Sequence, residues 1–187
     1  MSAHERLPHR LELVVDFVNT LDRETGADQL AAAAGLSEWL VNRGLLAPQR
    51  RSRPAAPLHH ATALREALRA LMLSHNGAPL NPLAGPELEA TARRGQLEVR
   101  FVADGSSELA SDADGFAGAL ARLLIPVVGA GADGSWKRVK ACRADDCQWA
   151  FYDHSRNRSG VWCEMAVCGN RTKVRAYRSR RPGPATE

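Results

Sequence analysis

Four cysteines are the residues of this chain best placed to do chemistry together. Four residues separate Cys142 from Cys147, four separate Cys163 from Cys168, and 15 lie between the pairs. Two short turns, each aiming two thiolates at one point, are what tetrahedral sulfur ligation requires. Disulfides are the first rival, and they belong to oxidising compartments. Residues 1–10 are polar and lack the apolar stretch of a secretory signal. No apolar run reaches the roughly 20 residues of a membrane span either, so the expected compartment is the reducing cytoplasm. Free buried cysteines would act as small hydrophobes and would not cluster in this way, and a redox C-x-x-C is absent. One Zn²⁺ is the expected occupant. An iron–sulfur cluster also takes four thiolates, and the spacing leaves it open. Four thiolates leave no place for water on the metal, which assigns it to folding and not to catalysis.

The elements around the cysteines must hold them. Residues 136–141 (WKRVKA) and 148–153 (QWAFYD) alternate as strands do, predicting a hairpin whose turn carries the first pair. Trp136, Val139, Trp149, Phe151, Trp162 and Val174 can form a mini-core over the metal; exposed aromatics could instead stack on bases. Residues 169–181 predict a helix launched from the last cysteine, with Asn170 as N-cap. On it Arg171, Arg175 and Arg178 share one face, Val174 and Tyr177 an adjacent inward one, and Lys173 and Arg180 extend the positive surface. Arg156 and Arg158 lie in the loop between the cysteine pairs (DHSRNRSG). Six of the eleven residues 171–181 are basic.

Charge follows the same division. Residues 1–136 hold 13 Lys and Arg against 16 Asp and Glu, a net of −3; residues 137–187 hold 12 against 5, a net of +7. A basic piece on a near-neutral body is suited to a polyanion. Arg156, Arg158, Arg171, Lys173, Arg175, Arg178 and Arg180 are the candidate nucleic-acid contacts, for DNA or for RNA. A solvated helix end is the plain alternative, since basic residues also favour helix C-termini.

The body reads as mainly helical with a few strands. Residues 11–21 (LELVVDFVNTL) fit both a strand and a helix. Ser37 looks like the N-cap of a helix over 38–43, with Trp39 and Leu40 inward and Gly44 as its stop. Residues 48–57 are a basic, Pro-rich loop. The clearest helix is 60–76, where Leu64, Leu68, Leu71 and Met72 form one face. A short helix near 87–93, a strand over 96–102 and a helix over 114–128 slowed by Pro126 follow. Residues 129–134 (GAGADG) read as a linker, and 182–187 as a disordered tail. The body shows no nucleotide-binding glycine fingerprint, nucleophile elbow or His-Glu metal helix. Its histidines, at positions 4, 9, 59, 60 and 75, have no partners at fixed spacing. The expected fold is thus an α+β, mainly helical N-terminal domain with a small sheet (1–134), followed by a four-cysteine zinc finger of β-hairpin plus C-terminal helix (135–187).

The C-terminal quarter resembles the CGNR zinc finger, a bacterial family. Cys168-Gly169-Asn170-Arg171 supplies the motif. Cys142 and Cys147, Trp149, Phe151, Asp153, Ser155-Arg156-Asn157, Trp162-Cys163, and Lys173 with Arg175 match the surrounding pattern. Val15-Asp16-Phe17-Val18-Asn19-Thr20 and residues 36–46 (LSEWLVNRGLL) resemble the ABATE domain that precedes such fingers. The resemblance implies a stress-induced transcriptional regulator, with a sensory α/β domain and a DNA-binding finger. A small-molecule effector in the body would meet Asp16, Asn19 and Thr20, polar residues interrupting a buried element; capping and turning the chain is their alternative role. Asp153 is suited to orienting a basic side chain or to capping a turn. Rival functions are a protein-interaction or RNA-binding module with a structural zinc site, and an enzyme in the body. The last is disfavoured because no acid–base pair or nucleophile is recognisable.

Overall fold

The computed structural model describes residues 8–48 and 56–180. His4, residues 49–55 of the basic Pro-rich stretch, the 182–187 tail and the side chain of Arg180 lie outside the described residues. The ambiguous first segment is a helix, α1 (His9–Val18), with Leu11, Val14, Val15, Phe17 and Val18 buried. Those positions recur at three and four residues, so packing selects the helical reading. Pro8 precedes it at φ −54°, where no N–H is missed.

Helix α2 (Ala33–Asn42) starts earlier than expected. Its N-cap position is Ala32, in extended conformation, and Ser37 lies inside the helix, buried, with no hydrogen-bond partner for its hydroxyl. Good helix formers at 33–34 and the need to bury Leu36 override the capping preference of serine. Trp39 and Leu40 do point inward. Helix α3 (Ala56–Ser74) buries Leu64, Leu68 and Met72, as its periodicity predicts. It also buries Arg65 and Arg69, to 3% and 1% exposure. Arg65 makes a two-pronged bond to Asp28 at 2.7 and 2.9 Å. A buried guanidinium is tolerable only when its donors are matched in this way.

Helix α4 (Ala84–Arg94) leads into β1 (Glu98–Phe101), which pairs antiparallel with β2 (Ser107–Ala110), a strand that the sequence pattern does not mark. Helices α5 (Gly115–Arg122) and α6 (Leu124–Ala132) follow. The interruption falls at Leu123 and not at Pro126. Pro126 sits in the first turn of α6, where a backbone N–H has no intrahelical partner to lose. The supposed linker at 129–134 is mostly the end of α6. By length and composition alone, Gly115–Ala132 is apolar enough to cross a membrane, and half of it is buried inside this fold, against α1, α3 and α4.

A single turn of 3₁₀ helix (Ser135–Arg138) enters the hairpin of β3 (Val139–Ala141) and β4 (Ala150–Tyr152). A π-helical turn (Met165–Gly169) then runs into α7 (Asn170–Arg180). The architecture is a mainly helical region with a small antiparallel ribbon, followed by a cysteine-rich finger of hairpin and helix. The two share one core. Trp136, Val139, Ala141 and Ala150 of the finger join Leu11, Val14, Phe17, Leu68 and Met72 of the body in the same buried cluster.

Candidate metal centre

The hairpin turn carries Cys142 and Cys147, and the π turn carries Cys168, with Cys163 just before it. The four sulfurs lie within 4.8 Å of one another. Cys147 and Cys163 are 3.6 Å apart, and Cys163 and Cys168 3.7 Å. A tetrahedron with Zn–S bonds of ~2.3 Å has edges of ~3.8 Å, so one Zn²⁺ fits. An iron–sulfur cluster places its own irons and sulfides between the thiolates and needs a wider cage.

The thiols are hydrogen-bonded to one another. Cys142 accepts from the thiols of Cys147 and Cys163 and from the backbone N–H groups of Ala144 and Cys163, which draws its thiol well below the usual range. The same contacts push Cys147 and Cys163 up. Trp149 and Trp162 pack against the cysteine cluster.

The body grips this centre through the hairpin's main chain. Asn19, just after α1, donates from Nδ2 to the Ala150 carbonyl at 2.9 Å and accepts from the Ala150 N–H at 2.7 Å. From α3, Arg69 donates to the Gln148 and Val18 carbonyls at 2.8 and 2.7 Å. Asn76 donates to the carbonyls of Ala141 and Val161 at 2.8 and 2.9 Å. His75 bonds Val139 O through Nδ1 at 2.8 Å and meets Trp136 edge-on. Burial holds its imidazole below its ordinary pKa, which favours the neutral, Nδ1–H form.

The family model for ABATE, described as "putative stress-induced transcription regulator", matches residues 11–133, and that of the CGNR zinc finger matches residues 138–181. The chain belongs to the ABATE family. No curated protein matches it at a significant level.

The geometry accounts for each residue of the CGNR motif. Cys168 is a ligand. At Gly169 a Cβ would come within 2.5 Å of Met165 Sδ and 3.1 Å of Trp162 Cδ1, so a side chain there would displace the exposed Met165 thioether and press on the Trp162 ring beside Cys168. Asn170 is not an N-cap. Its φ and ψ, −67° and −43°, are helical, and its Nδ2 donates to the Ala166 carbonyl of the π turn at 3.0 Å. Arg171 donates to Cys168 Sγ at 3.5 Å and to both Glu24 oxygens at 2.5 and 3.1 Å. It thereby ties the metal ligand to the loop after α1 of the ABATE body.

The other named basic residues divide into two groups. Arg175 pairs with Asp146 at 2.6 Å, as Arg171 does more distantly at 3.8 Å. Arg156, Arg158, Lys173 and Arg178 are exposed. Val174 and Tyr177 are also exposed and do not pack inward, contrary to expectation. The predicted mini-core is correspondingly split: Trp136 and Val139 serve the body's core, while Trp149 and Trp162 cover the cysteines.

The loop bearing Arg156 and Arg158 is built on an ion pair that sequence reasoning half foresaw. Lys140 and Asp153 are 4% and 3% exposed. Lys140 Nζ donates to Asp153 Oδ2 at 2.7 Å and to the carbonyls of Arg158 and Gly160 at 2.6 and 2.9 Å. Asp153 accepts in turn from the N–H groups of Ser155 and Gly160, both at 2.9 Å. A Cβ at Gly160 would fall 2.7 Å from Asp153 Oδ1, so glycine permits the closure. Asp153 therefore both orients a basic side chain and caps a turn. Lys140 gave no sequence signal, because lysine in a short strand is ordinarily solvated.

The three proposed effector residues have intrachain partners. Asp16 pairs with Arg43 at 2.5 Å. Thr20 Oγ1 donates to the Phe17 carbonyl at 2.8 Å and accepts from Arg65 at 3.1 Å. Asn19 is the hairpin clamp already described.

Proposed function

We propose that this ABATE protein is a zinc-dependent, DNA-binding transcriptional regulator of the reducing cytoplasm. Its functional division falls near residues 134/135: the CGNR finger binds nucleic acid and the body senses. The carrying observation is the fixed presentation of positive charge. Arg156 and Arg158 stand exposed on a loop closed by the buried Lys140–Asp153 pair, and Lys173 and Arg178 stand exposed on a helix that begins two residues after a metal ligand. Pre-organised cations of this kind favour the DNA backbone. Arg171 and Arg175 serve chiefly to fix α7 through Glu24 and Asp146. The metal's saturated shell supports a role without chemistry of its own at zinc.

For the zinc-loaded chain, DNA affinity is expected to fall linearly with salt on logarithmic axes. The joint variant Lys173→Ala/Arg178→Ala should lower that slope by about 1 for each phosphate no longer touched. Fluorescence anisotropy over a salt series measures it, with RNA of the same sequences alongside. Binding of RNA alone would move the assignment to RNA, and absence of binding to random-sequence DNA and RNA would overturn it.

The sensory reading has its support next to Asp16. Its partner Arg43 lies over the Trp39 ring, 5.4 Å from the centroid, and both line an open groove of about 360 Å³ with Gln29, Gly35, Glu38 and Asn42. A small polar effector with an apolar face would suit it. Compounds raising the melting temperature should lose that effect in Arg43→Ala. A library that yields no such compound argues against this groove.

A further inference from the structure

The ribbon of β1 and β2 takes no part in the metal centre or its basic elements, and its composition is unusual for a free surface. Phe101 is 82% exposed, Val99 60% and Val102 44%. Among the described residues the ribbon pairs with no third strand. A two-stranded ribbon is marginal in water, and an open apolar edge is a template for another strand.

The hydrogen bonds fix which main-chain groups that edge offers. Val102 N–H donates to Ser106 O, and the register sets Arg100 against Glu108 and Glu98 against Ala110. Bonded pairs alternate along an antiparallel ladder, so residues 98 and 100 spend their N–H and C=O groups on β2, and Val102 spends its own on the turn, at the Ser106 carbonyl and the Gly105 N–H. Those of Val99 and Phe101 face outward.

We propose that β1 docks on β1 of a second copy of this chain, antiparallel about a twofold axis at Val99. The two ribbons then form one four-stranded sheet. Val99 of each copy exchanges N–H···O=C bonds with Val99 of the other. The Leu97 carbonyl accepts from Phe101 N–H of the other copy, while Leu97 N–H stays on the Ala92 carbonyl, 3.0 Å away. Side chains support this register. On one face Val99 meets Val99 and Leu97 meets Phe101, covering Val99 and Phe101, the two most exposed apolar residues of the ribbon. On the other, Glu98 of each copy lies opposite Arg100 of its mate. The arrangement is self-complementary, as an isologous contact must be.

Neighbouring registers are worse. An axis at Arg100 sets Arg100 against Arg100. On the β2 edge, an axis at Glu108 sets carboxylate against carboxylate, and one at Leu109 sets Glu108 against Ala110. Like charges directly opposite destabilise strand pairs, and opposite charges stabilise them. Arg100 also bonds Asp112 of its own chain, which holds its guanidinium at the ribbon.

Sedimentation velocity of the full, zinc-loaded chain across the micromolar range tests the proposal. The wild type should sediment as a monomer–dimer equilibrium. Glu98→Arg alone and Arg100→Glu alone each place like charges opposite at two symmetric points. Each should weaken the dimer about tenfold or more. The triple variant Glu98→Arg/Arg100→Glu/Glu108→Arg restores opposite charges both between the copies and within each ribbon, where residue 100 faces residue 108; it should restore the dimer, which separates a broken interface from a broken fold. A monomer at every concentration overturns the proposal. So does a dimer indifferent to both single changes, or a triple variant no better than the singles.

Discussion

Stripping the zinc is expected to lower the melting temperature of the ABATE body itself, and not only to erase the finger. A structural Zn²⁺ supplies on the order of 10–16 kcal/mol of folding free energy. Here that free energy is not confined to the finger. Trp136, Val139, Ala141 and Ala150 complete the core formed by α1 and α3. Asn19, Arg69, His75 and Asn76 place polar groups against the hairpin's backbone. Once the hairpin loses its metal, these buried donors lose their acceptors, at about 1–3 kcal/mol each. Thermal melts followed by far-ultraviolet circular dichroism, with and without chelator, should show the helical transition itself moving down. Loss of the finger's signal with an unchanged helical transition would show that body and finger fold separately. Linkage requires the reverse effect as well. Asn19→Ala, which touches no cysteine, should weaken zinc binding in a chelator competition.

Breaking the Lys140–Asp153 pair should cost about 3–5 kcal/mol, because either partner left alone is a buried, uncompensated charge. Lys140→Met and Asp153→Leu singly should therefore both lower the urea midpoint of the zinc-loaded chain. The double variant Lys140→Met/Asp153→Leu should recover much of the loss, since two apolar residues leave no unpaired charge. It should not recover the order of loop 154–160, whose Arg158 and Gly160 carbonyls lose the ammonium of Lys140. Faster amide exchange in that loop, with a restored midpoint, is the expected signature. A double variant as unstable as either single one would mean that the pair is more than a matched charge.

Acid reads out the same pair. Burial raises the Asp153 carboxyl, but the bonds from Lys140 and Ser155 outweigh it, and the net pKa is lowered. A carboxylate with a depressed folded pKa stabilises the native state above its unfolded value of about 3.9. That contribution fades as pH falls through the folded value. Zinc is released in the same range as the thiolates protonate, so the informative quantity is the difference between wild type and Asp153→Asn. The stability gap should be full near neutrality and close below about pH 4; parallel profiles would remove Asp153 from the account.

The metal centre was legible because its ligands are a rare residue type at symmetric spacing, and four sulfurs converge wherever the intervening chain runs. The helical body was legible where one apolar stripe dominates, as in α3. Less of the sequence spoke for the joint between the two parts. Arg69 and Asn76 occupy the inward face of α3 and its end, where helical periodicity marks only Leu64, Leu68 and Met72. Their partners are carbonyls, which carry no sequence signal. The start of α2 is misleading because Ser37 satisfies a local preference that burial of Leu36 overrides. The apparent linker misleads because glycines at 129 and 131 look flexible, although α6 runs through both. The basic helix reads as a free fan, since ion pairs to Glu24 and Asp146 depend on residues far off in the chain.

Apart from the Arg171–Glu24 pair, the hydrogen bonds described between body and finger fall on main-chain atoms of the finger: the carbonyls of Val139, Ala141, Gln148, Ala150 and Val161, and one amide. Such a joint is indifferent to which side chains those residues carry outward. Exposed positions such as Arg156, Arg158, Lys173 and Arg178 can therefore drift without loosening it. One body can hold successive versions of the finger's exposed face with no change in how the two parts are joined.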